Sequence, residues 1–414
     1  MKILLINKYY YVKGGSETYF FGLKKMLEDN GHEVIVFSMQ DEKNQQSEFE
    51  DHFVKNVNYQ EDSGILAKMQ GALKLIHSNE AYKKLCKLIA CTKPDIAHVN
   101  LIYHQLTPSI FQALKKYNIP TVFTSHDYKL VCPNYKLFNN DEVCTKCIQG
   151  NFVNCFKNRC HKDSTIYSLL LTMEAYWHKW LKSYDVADFV ICPSKFMYNQ
   201  LAENRIPDTK LVHLPNFLTN NFLEIEMNEK KEKFILYYGR LSKEKGIDTL
   251  LDAQRLLGER VTLKLIGTGP EEGRLKARVE QENIRNVEFL GFKSGNDLVA
   301  EIKKAKATII PSIWHEVFGL TIIESLSVGT PVIGSKVGGI TELIKEGENG
   351  FLFERADEKE LANKIDRLIN LTEDEYAQME RNSYQAKNDF KPEWYYGELI
   401  SIYEQAINNK KIRK

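Results

Sequence analysis

The segment WHEVFGLTIIE, residues 314–324, sets Glu316 and Glu324 eight positions apart with Gly319 between them and no basic residue in the span. The apolar run ATIIPS precedes it and SLSVGTPVIGS follows. That pattern predicts a strand end, a turn at Phe318-Gly319-Leu320 and a helix opening near Thr321. Glu316 is then expected on a loop above a parallel sheet, and Glu324 in the first turns of the next helix. Ligands of open α/β sheets bind there, because strand ends and helix N-termini converge at that edge. Two carboxylates would repel a phosphate, so they are expected to accept hydrogen bonds from hydroxyls, as on a ribose or a hexose.

Five further segments have chemistry to offer. In Gly239-Arg240-Leu241-Ser242-Lys243-Glu244-Lys245-Gly246, Arg240 and Lys245 can both reach one diphosphate, Arg through its planar fork and Lys as a point charge; a solvated loop carries such residues too. Gly267-Thr268-Gly269 is a Gly-rich strand exit and a candidate wall for a nucleotide, and Gly338-Gly339 offers backbone N–H groups at a helix start. Gly14-Gly15-Ser16-Glu17 lies between the first strand and first helix, where glycines let a ligand approach the backbone. It lacks the G-x-G-x-x-G spacing of a dinucleotide site. His126 ends the run TVFTSHD, where an imidazole can hydrogen-bond a reacting sugar or assist proton transfer. Asp127 points away from it in an extended chain and is read as a conformational residue.

Six of the eight cysteines fall between 132 and 192. Cys132, Cys144, Cys147, Cys155 and Cys160, followed by His161, include a C-x2-C pair with the chelate spacing of zinc thiolates. A structural zinc is the expectation; an iron–sulfur cluster is the alternative on ligand chemistry, and free cysteines are the plain one. Residues 155–182 hold five basic side chains (Lys157, Arg159, Lys162, Lys179, Lys182) against Asp163 and Glu174, with Trp177 and Trp180 interleaved. This basic aromatic helix either rests on an anionic membrane or a lipid-linked substrate, or packs Trp177 and Leu181 into a core.

These residues need a scaffold, and 414 residues exceed one ordinary core, so two domains of roughly 200 residues are expected. A net charge of +1 makes no general case for nucleic acid. The opening MKILLINKYYYV reads as a strand and not a secretion signal. No run of eighteen apolar residues occurs, and a cytoplasmic location is expected. Strand 3–6, helix 16–30 and strand 34–37 make a βαβ start. Further strands are read at 96–99, 121–124 and 189–192, and helices at 80–90 and 105–117. A second β/α series runs through FILYYGRL, VTLKLIGTG, NVEFLGF, ATIIPS and TPVIGS, apolar as central parallel strands are. Domains are expected at 1–216, with a cysteine-rich insertion at 132–161, and at 217–390, with a cleft between them. Residues 391–414 are read as an amphipathic helix, either crossing back to the first domain or capping its own.

Taken together, Gly14-Gly15, His126, Arg240, Lys245 and the E-x7-E pair Glu316/Glu324 resemble the retaining glycosyltransferases of family 4 over essentially the whole chain. The cysteine-rich insertion, with HD followed by Cys132-Pro133, is similar to that of a subgroup that builds bacterial polysaccharides. The resemblance implies an α/β GT-B fold of two facing Rossmann-like domains with a deep interdomain cleft. It implies transfer of a hexosyl group from a nucleotide sugar, UDP-linked in preference to GDP-linked, to a polysaccharide or lipid-linked glycan. Arg240 and Lys245 would neutralise the diphosphate, Glu324 would bind the ribose and Glu316 a sugar hydroxyl, with no divalent metal needed for chemistry. The competing readings are an epimerase or phosphorylase on the same scaffold, or a nonenzymatic metal-stabilised binding protein.

Overall fold

Near-continuous apolar runs become two separate parallel sheets in the computed structural model, which describes residues 1–56, 76–204, 206–219, 222–223, 225–227 and 230–412. One unit comprises Met1–Lys136, Thr145–Pro215 and Glu393–Lys414; the other comprises Leu137–Cys144 and Asn216–Pro392.

The first unit runs β1 (Lys2–Ile6), α1 (Gly15–Asp29), β2 (Glu33–Phe37), α2 (Asn79–Thr92), β3 (Ile96–Val99), α3 (Ser109–Lys116) and β4 (Thr121–Thr124). A hairpin follows, β5 (Phe138–Asn139) with β6 (Glu142–Val143), which falls within the second unit. Then come α4 (Val153–Lys157), α5 (Thr165–Trp180), β7 (Phe189–Cys192), α6 (Lys195–Glu203) and β8 (Leu211–His213). The strands of this sheet are all parallel, in the order β2-β1-β3-β4-β7-β8. Ile3, Leu4, Leu5 and Ile6 are fully buried, as strands covered on both faces must be. Helix α3 opens at Ser109 and not at 105, with Pro108 as its N-cap, where the missing N–H does no harm.

The second unit runs β9 (Phe234–Tyr238), α7 (Ile247–Leu257), β10 (Thr262–Ile266), α8 (Glu272–Gln281), β11 (Val287–Gly291), α9 (Gly295–Lys304) and β12 (Ala307–Ile310). It continues with α10 (Leu320–Ser327), β13 (Val332–Ser335), α11 (Ile340–Leu343), β14 (Gly350–Phe353), α12 (Glu358–Ile369) and α13 (Glu373–Ala386). The strand order is β11-β10-β9-β12-β13-β14, again all parallel. This is a doubly wound, Rossmann-like sheet, and the order reverses between β9 and β12.

A final helix, α14 (Pro392–Ile412), contributes to the first unit. Its residues Tyr395, Leu399, Ile402, Tyr403 and Ala406 are buried, a stripe at helical spacing. The stripe meets polar atoms inside: Tyr395 and Tyr19 share a hydroxyl hydrogen bond, and Tyr403 Oη lies 2.7 Å from His98 Nδ1. His98 Nε2 lies 2.7 Å from Thr124 Oγ1, so both ring nitrogens of a fully buried imidazole are satisfied, and burial pushes its pKa down to about 3. Tyr403→Phe removes one of those partners while keeping the ring. We expect a loss of about 1–3 kcal/mol, read by urea unfolding; an unchanged midpoint would show that the bond does not hold the helix.

Candidate active site

The point where the strand order reverses in the second sheet is framed by the exits of β9 and β12. Leaving β9, the backbone N–H of Gly239 donates to Ile266 O and that of Leu241 to Thr268 O, so the exits of β9 and β10 run side by side. A Cβ on Gly267 would stand 1.9 Å from Gly239 O. The glycine is therefore demanded by this crossing of two loops. Residues Lys243–Lys245 then form one 3-10 turn that presents Lys245. Arg240 is exposed.

Leaving β12, the chain passes Ser312 and Trp314 to Glu316. Lys245 Nζ lies 2.7 Å from Glu316 Oε1, and Ser312 Oγ donates to the same oxygen at 2.5 Å. Burial by itself would raise the Glu316 carboxyl; the Lys245 ammonium and the hydrogen bonds outweigh it and hold the group below the ordinary carboxylate range. Glu316 is thus a buried, ionised, oriented acceptor. Lys245 Nζ also stands 5.6 Å from the centre of the Trp314 ring. Next to them His315 is pushed down to about 4, by burial and then by Arg355, so it is neutral at physiological pH.

The loop after Glu316 rests on glycine. Gly338 has φ +53°, and a Cβ there would meet Glu316 O at 2.3 Å. The N–H of Gly339 donates to Glu316 O at 2.8 Å. The Gly339 donor is thus spent on the loop that carries the acid. Phe318 is buried, 6.0 Å from Phe390 between ring centres, so its ring anchors the turn. Gly319, at φ +114°, is the N-cap of α10, and Leu320 is its first residue, one position ahead of the predicted Thr321. Glu324 sits one turn further on, where burial pushes its carboxyl up to about 7, opposed by a hydrogen bond with Tyr238. Tyr238 Oη donates to Thr321 O at 2.6 Å. Ser312, Trp314, His315 and Tyr238 were not picked out from sequence, because nothing in their types or spacing marks them; Tyr238 is legible only as the last residue of its strand.

In the first unit the strand order reverses between β1 and β3. Asn100, just beyond β3, turns its Nδ2 toward Ile6 O at 3.5 Å and its Oδ1 toward His126 Nε2 at 2.9 Å. In that orientation His126 Nε2–H donates, and Nδ1 keeps its lone pair. Burial pushes the His126 pKa down to about 3, so it acts as a neutral imidazole. Asp127 Oδ1 accepts from the N–H of Lys129 at 2.9 Å, a turn-closing role in keeping with its reading as conformational. Gly14, the N-cap of α1, has an extended backbone (φ −170°), and a Cβ on it would meet only Glu17 Oε2, at 3.8 Å. Packing within the unit therefore does not require glycine there. Glu17 is buried in the first turn of α1, which also holds Gly15, and accepts from Ser16 Oγ at 3.1 Å.

The cysteines do not form the expected zinc site. Among the described residues, no group of three or more His, Cys, Asp or Glu side chains could hold a metal. Cys144 directly follows the hairpin and is half-buried, whereas Cys147 is buried. Cys147 and Cys155 are buried with Phe152 and Leu171, and Cys160 packs against that cluster. The Cys160 thiol hydrogen-bonds Cys155, which raises its pKa, and Cys132 is buried. Cys147 and Cys155 fill that small core as compact hydrophobic side chains do.

Two Rossmann-like sheets in one chain, the second with a cation and two acids where its strand order reverses, are the GT-B architecture of glycosyltransferases. A family model described as Glycosyltransferase Family 4 matches residues 13–219, and one described as Glycosyl transferases group 1 matches residues 220–386. The chain belongs to glycosyltransferase family 4. An uncharacterized glycosyltransferase of Methanocaldococcus jannaschii is 28% identical over 371 residues, covering 89% of each chain. An uncharacterized 42.6 kDa protein in the cps region of Klebsiella pneumoniae is 29% identical, covering 86% of this chain and 90% of that one. Among solved structures, Anabaena HepE in complex with UDP and glucose superposes with a TM-score of 0.68 at 19% identity, covering 98% of this chain and 100% of that one.

The glycine beneath the acid can be tested directly. Gly338→Ala should cost roughly 1–3 kcal/mol more than Gly347→Ala, since Gly347 shares a positive φ (+77°) but has open space around it. Urea unfolding of both variants measures the difference, and equal losses would mean that backbone conformation alone requires the glycine.

Proposed function

We propose that the protein is a retaining hexosyltransferase that uses a UDP-sugar and extends a polysaccharide or lipid-linked glycan. The observation that carries this reading is the buried Glu316 carboxylate, held ionised by Lys245 and Ser312 where the strand order reverses. Such a group accepts hydrogen bonds from sugar hydroxyls. It is a poor nucleophile, because its near oxygen is already engaged, and this separates it from a retaining glycosidase carboxylate. UDP and glucose in a structural relative support the donor, and the cps-region relative supports a polysaccharide acceptor.

In this proposal Arg240 and Lys245 meet the donor diphosphate, joined by the backbone N–H groups at the N-terminus of α10 behind Gly319. Glu324 accepts from the ribose hydroxyls. Neutral His126 hydrogen-bonds the donor sugar, and the open backbone at Gly14-Gly15 leaves room for the ligand. An acceptor hydroxyl attacks the anomeric carbon on the face the leaving group occupies: the new C–O bond forms as the bond to the phosphate oxygen breaks. That departing oxygen takes the acceptor's proton, and the diphosphate leaves.

Purified protein should release UDP from a UDP-hexose only when a glycan or polyprenyl-linked acceptor is present. Release without acceptor would favour epimerase-like or hydrolytic chemistry on the same scaffold, and absence of donor binding would overturn the proposal. Glu316→Gln should lower kcat by about 10²-fold or more and leave UDP affinity nearly unchanged; equal losses in both would remove its assignment to the sugar. Arg240→Ala should weaken UDP but not uridine by calorimetry.

The Glu324 pKa of about 7 gives a signed pH prediction. Below it the carboxyl is neutral and a poorer acceptor, and above it both oxygens accept, so UDP binding should tighten by up to about tenfold from pH 6 to pH 8. The diphosphate titrates in the same window. The test is therefore the difference from Glu324→Gln, which should lack this component; identical pH profiles would sink the ribose assignment.

A further inference from the structure

Helix α5 buries one face, mostly polar, and leaves an apolar one exposed. Ser168, Leu171, Thr172, Glu174 and His178 form its buried face. On the outside, Ile166, Leu169, Met173, Trp177 and Trp180 recur at a spacing of three and four residues, a single stripe along the helix. Ile166 is 72% exposed, Trp177 45% and Trp180 74%. A helix on a water-facing surface places polar residues there, so ordinary core packing of Trp177 does not account for this stripe.

Charge indicates what covers it. Lys157, Arg159 and Lys162 before the helix and Lys179 and Lys182 at its end are all exposed, against one exposed acid, Asp163, and among the described residues none of these five makes an ion pair. The acid within the helix, Glu174, is withdrawn: it is buried against Lys129, 2.7 Å from Nζ. The outward face from Thr165 to Lys182 thus carries Lys179 and Lys182 and no carboxylate. Trp177 and Trp180 lie 5.6 Å apart between ring centres, tilted by 51°, amphipathic rings of the kind that settle at a membrane–water interface. A second copy on a twofold axis would bring two such basic rims together, which like charge opposes.

From this geometry we infer that the outward face of α5 docks the protein on an anionic phospholipid surface, with the stripe at the level of the headgroups and acyl ends, and the lysines on lipid phosphates. For its purpose, holding the enzyme beside a lipid-linked acceptor, the inference rests on the proposed function; the surface itself does not. The helix lies in the interface and does not cross it, and among the described residues no helix is long and apolar enough to span a membrane.

The test uses the full chain without donor, so that it stands apart from transferase activity. Its binding is measured by co-sedimentation with vesicles of phosphatidylcholine, alone or mixed with phosphatidylglycerol, at low and high salt. Binding should require phosphatidylglycerol and weaken with salt. Trp177→Ser with Trp180→Ser, and separately Lys179→Glu with Lys182→Glu, should each lower the partition coefficient about tenfold or more, while an unchanged urea unfolding midpoint shows both variants folded. Binding that ignores lipid charge, or that survives both double variants, would overturn the inference. So would a dimer in analytical ultracentrifugation that the tryptophan variant converts to monomer, since the face would then be a self-interface.

Discussion

A parallel strand cannot be joined to its neighbour by a tight turn; the chain must return across the face of the sheet before it can pair again. Everything of chemical interest here follows from that constraint. With all strands of a sheet pointing one way, every strand exit lies on the same edge, and where the strand order reverses two exits diverge and leave a crevice. In the second unit those exits belong to β9 and β12. They deliver Lys245 and Glu316, 71 positions apart in sequence, to within 2.7 Å of each other.

Placing a carboxylate in that crevice has a cost. Desolvation alone would push Glu316 toward its neutral form, and a neutral acid would lose its strength as an acceptor. The fold answers with one ammonium and one hydroxyl on the same oxygen. Glu324 has Tyr238 and, among the described residues, no cation beside it, and burial pushes its carboxyl up to about 7. Two acids eight residues apart therefore have different protonation behaviour, decided by which neighbours their loops and helices supply.

Much of this was legible in the residues. The unbroken apolar runs announced buried parallel strands, and the spacing of Glu316 and Glu324 around Gly319 placed one acid on a loop and the other in a helix. What was not legible shares one cause: it depends on partners distant in sequence. Ser312 matters because its hydroxyl reaches Glu316. Gly338 looks like a helix start and is a seat for the Glu316 loop, and Phe318 looks like part of a binding turn and is buried against Phe390. The C-x2-C pair failed as a chelate because local spacing says nothing of where each residue's neighbours go: Cys144 continues a hairpin, and Cys147 enters a small core. A thiol is both a ligand and a compact hydrophobe, and sequence spacing alone does not choose between them.

The partnership of His98 with Tyr403 spans 305 positions. On a ribosome the amino-terminal portion of a chain begins to organise first, yet here the hydroxyl that completes a buried imidazole emerges only after the whole second sheet has been made. During synthesis the first sheet therefore exists for a time with a hydrated groove where α14 will lie, and its completion is tied to the finished length of the polypeptide. Closing so long a loop adds only a slowly growing entropic cost, but it fixes an order of events. The second unit has all its strands before the first is sealed, so a nascent chain cut short before Tyr395 carries an intact second sheet and an unfinished first unit.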